Sequence, residues 1–566
     1  MSEPTTTQPD FFSRHRELLE RSVTAIQERT NFSAFSENPR DPGYGENAIN
    51  DGATAFQALL GKKFDLGQPE AGTVPATEKS PYGIPLDLTY SYLGPDELVA
   101  AAKEAGRSWR RASADERAGV CLEILVRLNQ ASFEIANAVQ FTTGQAFAMA
   151  FQAGATHAQD RGLEAVAYAW KEQHFHPGSA IWSKPQPKGG PLTMEKTFTT
   201  LGRGVALVVS CVTFPTWNTY PGLFASLATG NPVILKPHPR SILPVAITVR
   251  IAREVLAEAG FDPNTVLLAP DMPGEPIAGK LATNPDVRII DYTGSTEFGE
   301  WIEANARQAT VYAEKAGLNT VILDSTDNYK GLLSNLAFSL SLYSGQMCTT
   351  PQNLLIASAG IETDQGHRSV EEFGADLTAA LNGLLGDVKR ATGILGAISN
   401  EAVTERIDDA AGQGPVVRAS EAVGHPQHPD ATVRSPLLVA LKASDEGTYT
   451  KEWFGPISFI IETDSTPASL DILRETVRQH GALTAAVHSR DESVLEAARE
   501  AALDAGVHLS ENLTGGVFVN QSAAFSDFHG SPANPAATAT LSDPAFVAGR
   551  FSTLQSRRHV PAPAQA

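Results

Sequence analysis

The sequence predicts an α/β protein with two doubly wound α/β domains. Two alternations and a bulk property carry the prediction. From Gly204 onward, short apolar runs at 205–211, 232–236, 265–268 and 287–292 are separated by helical segments. A second alternation runs from Ala313 to about Ser489. Strands alternating with helices form parallel sheets covered on both faces. With 566 residues, 42% of them hydrophobic and 19% charged, the chain can build several globular units.

Residues 1–94 are rich in Pro, Gly, Thr and Asn, and read as a partly irregular N-terminal extension with one helix near 14–29. Regular structure is expected from Pro95. Ser113 and Glu116 form a capping box, each side chain satisfying a free N–H of a first helical turn. That helix is expected to reach Asn129, with Cys121, Ile124, Leu125 and Leu128 on its apolar stripe. A helix over 242–259 is closed by Gly260. Strands are expected at 320–323 and 483–487, with a helix before Cys348. The run 561–566 predicts a disordered end.

The net charge of −20 argues against nucleic-acid and anionic-membrane partners, which need basic patches. No apolar run has the length of a membrane span. The first residues lack a basic region followed by an apolar stretch, so no secretory signal is expected. Three scattered cysteines give neither a disulfide framework nor a zinc pattern, and no metal site is expected. A reducing cytoplasm is the natural compartment.

Cys348 lies among Gly345, Gln346, Thr349, Thr350 and Pro351, unlike a cysteine in a core stripe. Cys121 and Cys211, within apolar runs, read as buried and inert. A thiol preceded by the carboxylate of Glu314 suits covalent chemistry on a carbonyl. Sulfur attacks as thiolate, and the carboxylate activates water. Taken alone, Glu314 reads as a solvated strand-end charge, Asn218 as a turn residue, and the run 294–299 as a turn with an N-cap.

Six segments change those readings. They are Thr216-Trp217-Asn218-Thr-Tyr-Pro221, Gly230-Asn231-Pro-Val-Ile-Leu-Lys236-Pro237, Thr293-Gly294-Ser295-Thr296-Glu-Phe-Gly299, Glu314, Gly345-Gln-Met-Cys348 and Glu452-Trp-Phe454-Gly-Pro456. In this order the chain resembles the aldehyde dehydrogenase superfamily from about 95 to 530, and within it most closely a branch serving phenylacetate catabolism. The resemblance implies Cys348 as nucleophile, Asn218 as oxyanion donor and Glu314 as base. It implies a nicotinamide cofactor held by Thr216, Trp217, Lys236, His238, Arg240, Gly294, Ser295, Gly299, Glu452 and Phe454. Where many relatives that prefer NAD carry an acid two residues after Lys-Pro, this chain has His238-Pro239-Arg240, so NADP is expected over NAD. Two glycine-rich loops are altered, at Glu314-Lys-Ala-Gly-Leu318 and Gly530-Ser-Pro-Ala-Asn534. Both are expected to flank the substrate.

The resemblance further implies a cofactor domain over 95–313, a thiol domain over 314–515 and a C-terminal segment with tail over 516–566. A small β oligomerisation arm is expected from 179–201 and the region near 517–520, giving a homodimer or homotetramer. The expected substrate is a CoA-linked aldehyde, 3-oxo-5,6-dehydrosuberyl-CoA semialdehyde. The residues after Asn520 are too few for a domain of about 100 residues, so a separate ring-opening hydratase is expected.

Overall fold

The computed structural model describes residues 9–560 apart from residue 316, so the expectation for 561–566 falls outside the described residues. The first sheet has the order Thr310–Lys315, Val287–Gly294, Val205–Val209, Val233–Lys236, Val266–Leu268, with every pairing parallel. Successive side chains on a strand point to opposite faces. Accordingly Ala206, Val208, Val233 and Leu235 join one core, while Val205, Leu207 and Ile234 join the core on the other face. The helices Leu243–Glu258 and Thr219–Ala228 cover the first face; Pro95–Trp109 and Thr296–Asn305 cover the second. The Ser113–Glu116 capping box opens the helix Ala114–Gln130.

The second sheet has the order Val416–Arg418, Leu437–Lys442, Ile457–Thr463, Asn353–Ala357, Thr320–Leu323, Thr484–His488, His508–Glu511. It is parallel except where Val416–Arg418 runs against its neighbour.

A third sheet pairs Leu192–Gly202 with Ser179–Lys184 on one side and Phe551–His559 on the other, both antiparallel. Residues 179–201, expected to form an arm, thus lie in strands, and the C-terminal strand beside them is 551–559, whereas the region near 517–520 is in no strand. Arg550, at the start of that strand, is buried and grips both oxygens of Asp291 at 2.5 and 2.7 Å. This anchors the arm to the first sheet.

The N-terminal extension is more regular than its composition suggests. Phe11–Glu28 and Ala48–Leu59 are helices, and Lys63–Phe64, Gly72–Pro75 and Thr89–Tyr92 form a small sheet. Phe11, Leu19, Phe56, Phe64 and Tyr90 are buried in the same core as the helix Ala114–Gln130. Gly52 sits so close to Phe133 that a Cβ there would lie 2.2 Å away. The extension also closes the free edge of the first sheet. The Gln68 amide donates to Leu268 O and accepts from Leu268 N–H, both at 3.0 Å, in place of a further strand. The Glu78 carboxylate accepts from the N–H groups of Ile242 and Leu243 at the start of a helix.

Candidate active site

In the first sheet, the Val205–Val209 strand has the next strand in sequence, Val233–Lys236, on one side and the later Val287–Gly294 on the other. The winding direction reverses there, and ligands of such sheets bind outside the carboxyl ends of the strands at that point. Lys236 ends one strand, Gly294 ends another, and Asn218 follows the third through a short turn. The cleft continues to Cys348 on the second domain.

A left-handed turn presents Cys348. Tyr343, Ser344 and Gly345 have φ of 53, 50 and 62°. Non-glycine residues adopt this conformation only when held. The Tyr343 hydroxyl donates to Thr143 O at 2.5 Å, and Ser344 Oγ contacts Leu395 O and Arg434 O at 3.1 and 2.9 Å. At Gly345 a Cβ would lie 2.2 Å from Gly455 O, so only glycine fits. Behind the nucleophile, Asn319 Nδ2 donates to Cys348 O at 2.7 Å and to Thr350 O at 3.1 Å.

Glu314 lies near the end of its strand, buried. Its Oε2 accepts from Asn218 Nδ2 at 3.4 Å, and its Oε1 is 3.2 Å from Nε2 of His529. Donor atoms of Glu314, Cys348 and His529 lie within 4.8 Å of one another. Burial, and then the adjacent Glu314 carboxylate, push the Cys348 thiol well above its ordinary range. The resting sulfur is therefore a thiol beside a base, not a standing thiolate. Burial pushes Glu314 upward, but His529 and Arg161 outweigh it and hold the carboxylate below its usual value. Cys211 is not the core residue expected. It is half-buried past the strand end, and its thiol donates to Asn218 Oδ1 at 3.5 Å. Burial raises it to about 11.

Of the expected cofactor residues, Lys236, Gly294 and Ser295 surround the carboxyl ends of the first sheet. Ser295 caps the helix Thr296–Asn305, accepting from Phe298 N–H. Glu452 and Phe454 line a narrow cleft with Gly345 and Cys348. The cleft fits a nicotinamide group. Its walls come from the thiol domain, with Asn319, Gly345 and Cys348 on one side and Glu452, Trp453 and Phe454 on the other.

Three of the expected cofactor residues face elsewhere. Thr216 is fully buried and spends its hydroxyl on Gly154 O at 2.5 Å. Trp217 faces away from the cofactor side, with its ring 4.8 Å from that of His529. Gly299 faces the sheet, where a Cβ would lie 2.8 Å from the Lys315 stem. His238 is lowered to about 4, by burial first and then by the charges of Lys236 and Arg240, so it is neutral near pH 7. Arg240 is exposed. Asp271, unnoticed in the sequence, bonds Lys236 Nζ through Oδ2 at 2.8 Å.

The aldehyde dehydrogenase family model matches residues 94–525. The chain belongs to the aldehyde dehydrogenase family. This dehydrogenase is 25% identical over 434 residues to a benzaldehyde dehydrogenase [NAD(+)] of Pseudomonas putida, covering 75% of this chain and 80% of that one. It is 24% identical to a sulfoacetaldehyde dehydrogenase of Neptuniibacter caesariensis over 67% of this chain and 78% of the relative. A crystal structure described as an NAD-dependent aldehyde dehydrogenase from Burkholderia multivorans superposes with a TM-score of 0.96 at 54% identity, covering 98% of this chain and 100% of that one. Aldehyde oxidation with a nicotinamide cofactor is the activity of the family.

On the side opposite the cofactor cleft, the dehydrogenase has a cavity of about 430 Å³ reaching Cys348. Phe214, Trp217, Phe338, Met347 and Phe518 give it an apolar wall, and neither Lys nor Arg lines it. The loop Gly530–Asn534 is absent from this lining, against expectation. It braces the base instead. Glu314 pairs with Ala537, and Asn534 bonds Ala482 and Gly506. His529, one residue before that loop, was missed. Its only sequence signal was proximity to an altered motif. No helix among the described residues is long and apolar enough to cross a membrane.

Proposed function

We propose that this dehydrogenase oxidises an apolar aldehyde to the carboxylic acid through a thioester on Cys348. The supporting observation is a buried carboxylate, Glu314, beside the Cys348 thiol at the end of an apolar cavity. Glu314 takes the thiol proton as sulfur attacks the carbonyl carbon. Asn218 Nδ2 and the Cys348 N–H hold the oxygen that gains charge. A bound nicotinamide cofactor supplies the hydride acceptor. Glu314 then activates the water that cleaves the thioester. Formation of reduced cofactor, followed by absorbance with a medium-chain aldehyde panel, tests the reading. Turnover in wild type and none in Cys348→Ala is expected. Turnover in both would remove Cys348 as nucleophile. Accumulation of acyl-CoA when free CoA is added would replace hydrolysis by acyl transfer.

For the cofactor, the carboxylate missing from 238–240 is supplied by Asp271 beside Lys236, and His238 carries no charge. These features favour NAD, the cofactor named for the Pseudomonas putida and Burkholderia multivorans proteins. NADP remains accepted through Arg240. For the substrate, the sequence motifs resemble those of the phenylacetic acid degradation protein PaaN. It supports the CoA-linked semialdehyde of that catabolism, with the acyl chain in the apolar cavity and the CoA phosphates beyond it. The proposed setting is cytoplasmic, with a separate ring-opening hydratase. The arm, with Ile181 and Leu554 exposed, supports a homodimer or homotetramer.

A further inference from the structure

We propose that His529 is a positioning residue for thioester hydrolysis, taking from Glu314 the proton that the carboxylate removes from water. The proposal rests on the hydrolytic reading above. A carboxylate that accepts a proton in every turnover must release it before the next. Glu314 is buried, with a side chain only 7% exposed, and does not line the large acyl cavity. His529 is as deeply buried, yet it borders two spaces. One is a cavity of about 20 Å³ shared with Glu314 and Asn218, room for about one water molecule. The other is the 430 Å³ acyl cavity.

The imidazole is placed for this transfer. Nε2 lies 3.2 Å from Glu314 Oε1, and neither atom has a hydrogen-bond partner among the described residues. Nδ1 is 3.4 Å from Ser522 Oγ, which accepts from Arg161 Nη2 at 3.1 Å. The Trp217 ring packs edge-on against the imidazole. The charged and titratable groups around it are Glu314, the Cys348 thiol, Arg161 over the Trp217 ring, Asp291 locked to Arg550, and Asp527, whose carboxylate accepts from Ala523 N–H. Of these, Glu314 alone puts an unpartnered acceptor against the ring.

The step balances. Before it, Glu314 passes the proton taken from the thiol through Nε2 to solvent, so the carboxylate is free again. Water oxygen bonds to the thioester carbon, one of its protons goes to Glu314 and the other stays on the acid. The tetrahedral adduct breaks its C–S bond and releases the acid and the Cys348 thiolate, which regains a proton from solvent in the acyl cavity. The proton on Glu314 Oε1 passes to Nε2, and the imidazolium loses it to the same solvent, so that one proton is released per turnover.

The test is stopped-flow measurement of reduced cofactor with saturating aldehyde, in wild type and His529→Gln. The variant is expected to complete its first turnover with a burst of about one equivalent per site. Its steady rate then falls by at least about tenfold. In His529→Gly, added imidazole is expected to restore part of the steady rate. A His529→Gln steady rate within twofold of wild type, or a first turnover lost together with it, would overturn the proposal. So would failure of both variants to fold, since His529 would then be structural. No aldehyde turnover in wild type, or turnover in Cys348→Ala, would instead remove the underlying reading.

Discussion

Asn319 is tied to Cys348 by a bond from its Nδ2 to the carbonyl oxygen of the nucleophile, at 2.7 Å. Its Oδ1 meanwhile accepts from the N–H groups of Leu483 and Thr484, each at 3.1 Å. One buried amide therefore fixes the nucleophile loop to the start of a core strand. Asn319→Ala leaves buried backbone groups unpaired, each costing about 1–3 kcal/mol. A clear loss of denaturant midpoint is expected, with kcat lowered and the KM for cofactor unchanged. An unchanged kcat would show that the loop holds its shape without this anchor.

Asn218 is also placed by two partners, the Cys211 thiol and Glu314. Its amide is the proposed side-chain donor for the developing oxyanion. Removing one such donor costs about 100- to 1,000-fold in kcat. Asn218→Ala is expected in that range, measured at saturating aldehyde, whereas Cys211→Ala is expected within a few-fold of wild type.

Cofactor choice turns on Arg240 and Asp271. Asp271→Asn removes a negative charge near the proposed ribose site, and is expected to raise kcat/KM for NADP relative to NAD. Arg240→Ala is expected to lower the NADP value by about tenfold, one lost charge-assisted bond, and to leave NAD within twofold. Equal effects on the two cofactors would place both side chains outside the 2′ position.

Glu78 predicts a pH dependence of stability. Burial raises its carboxyl from 4.5 to about 6, with the bonds from Tyr90, Leu243 and Ile242 opposing. The folded state therefore holds this proton more tightly than the unfolded chain. The added stability is complete below pH 4.5 and is lost as pH rises through about 6. A shift of that size corresponds to about 2 kcal/mol. The stability of wild type relative to Glu78→Gln is expected to fall by that amount between pH 4 and 7, followed by urea unfolding. A flat difference would mean that the carboxyl titrates normally.

The catalytic pair and much of the fold could be read in the sequence because their signals are local. Lys236 and Gly294 end apolar strands, and Glu314 lies one residue from the end of its own. Gly345 marks a turn only glycine can make. What escaped notice depends on long-range placement. His529 comes to Glu314 from a loop more than two hundred residues later, with no periodicity to mark it. Asp271 reaches Lys236 from a neighbouring strand end. The 551–559 strand is exposed along nearly its whole length, so it shows no apolar alternation. The facing of Thr216 and Gly299 was not legible, because a motif names a residue without giving the direction it faces. In the extension, Phe11, Phe56 and Tyr90 are spread among polar residues, and only the core they enter makes them a pattern.

The Gln68 clamp on Leu268 separates two units that are easily equated. The stretch that the family model matches, 94–525, begins after Gln68 and Glu78 and ends before His529 and the 551–559 strand. A chain trimmed to those limits would keep both sheets, the thiol and the base. It would also bare a backbone edge at Leu268, uncap a helix, strip the arm of a strand and leave Glu314 without its imidazole. The stretch that marks the family is thus smaller than the body these contacts hold together, and a cut at its limits would pass through them.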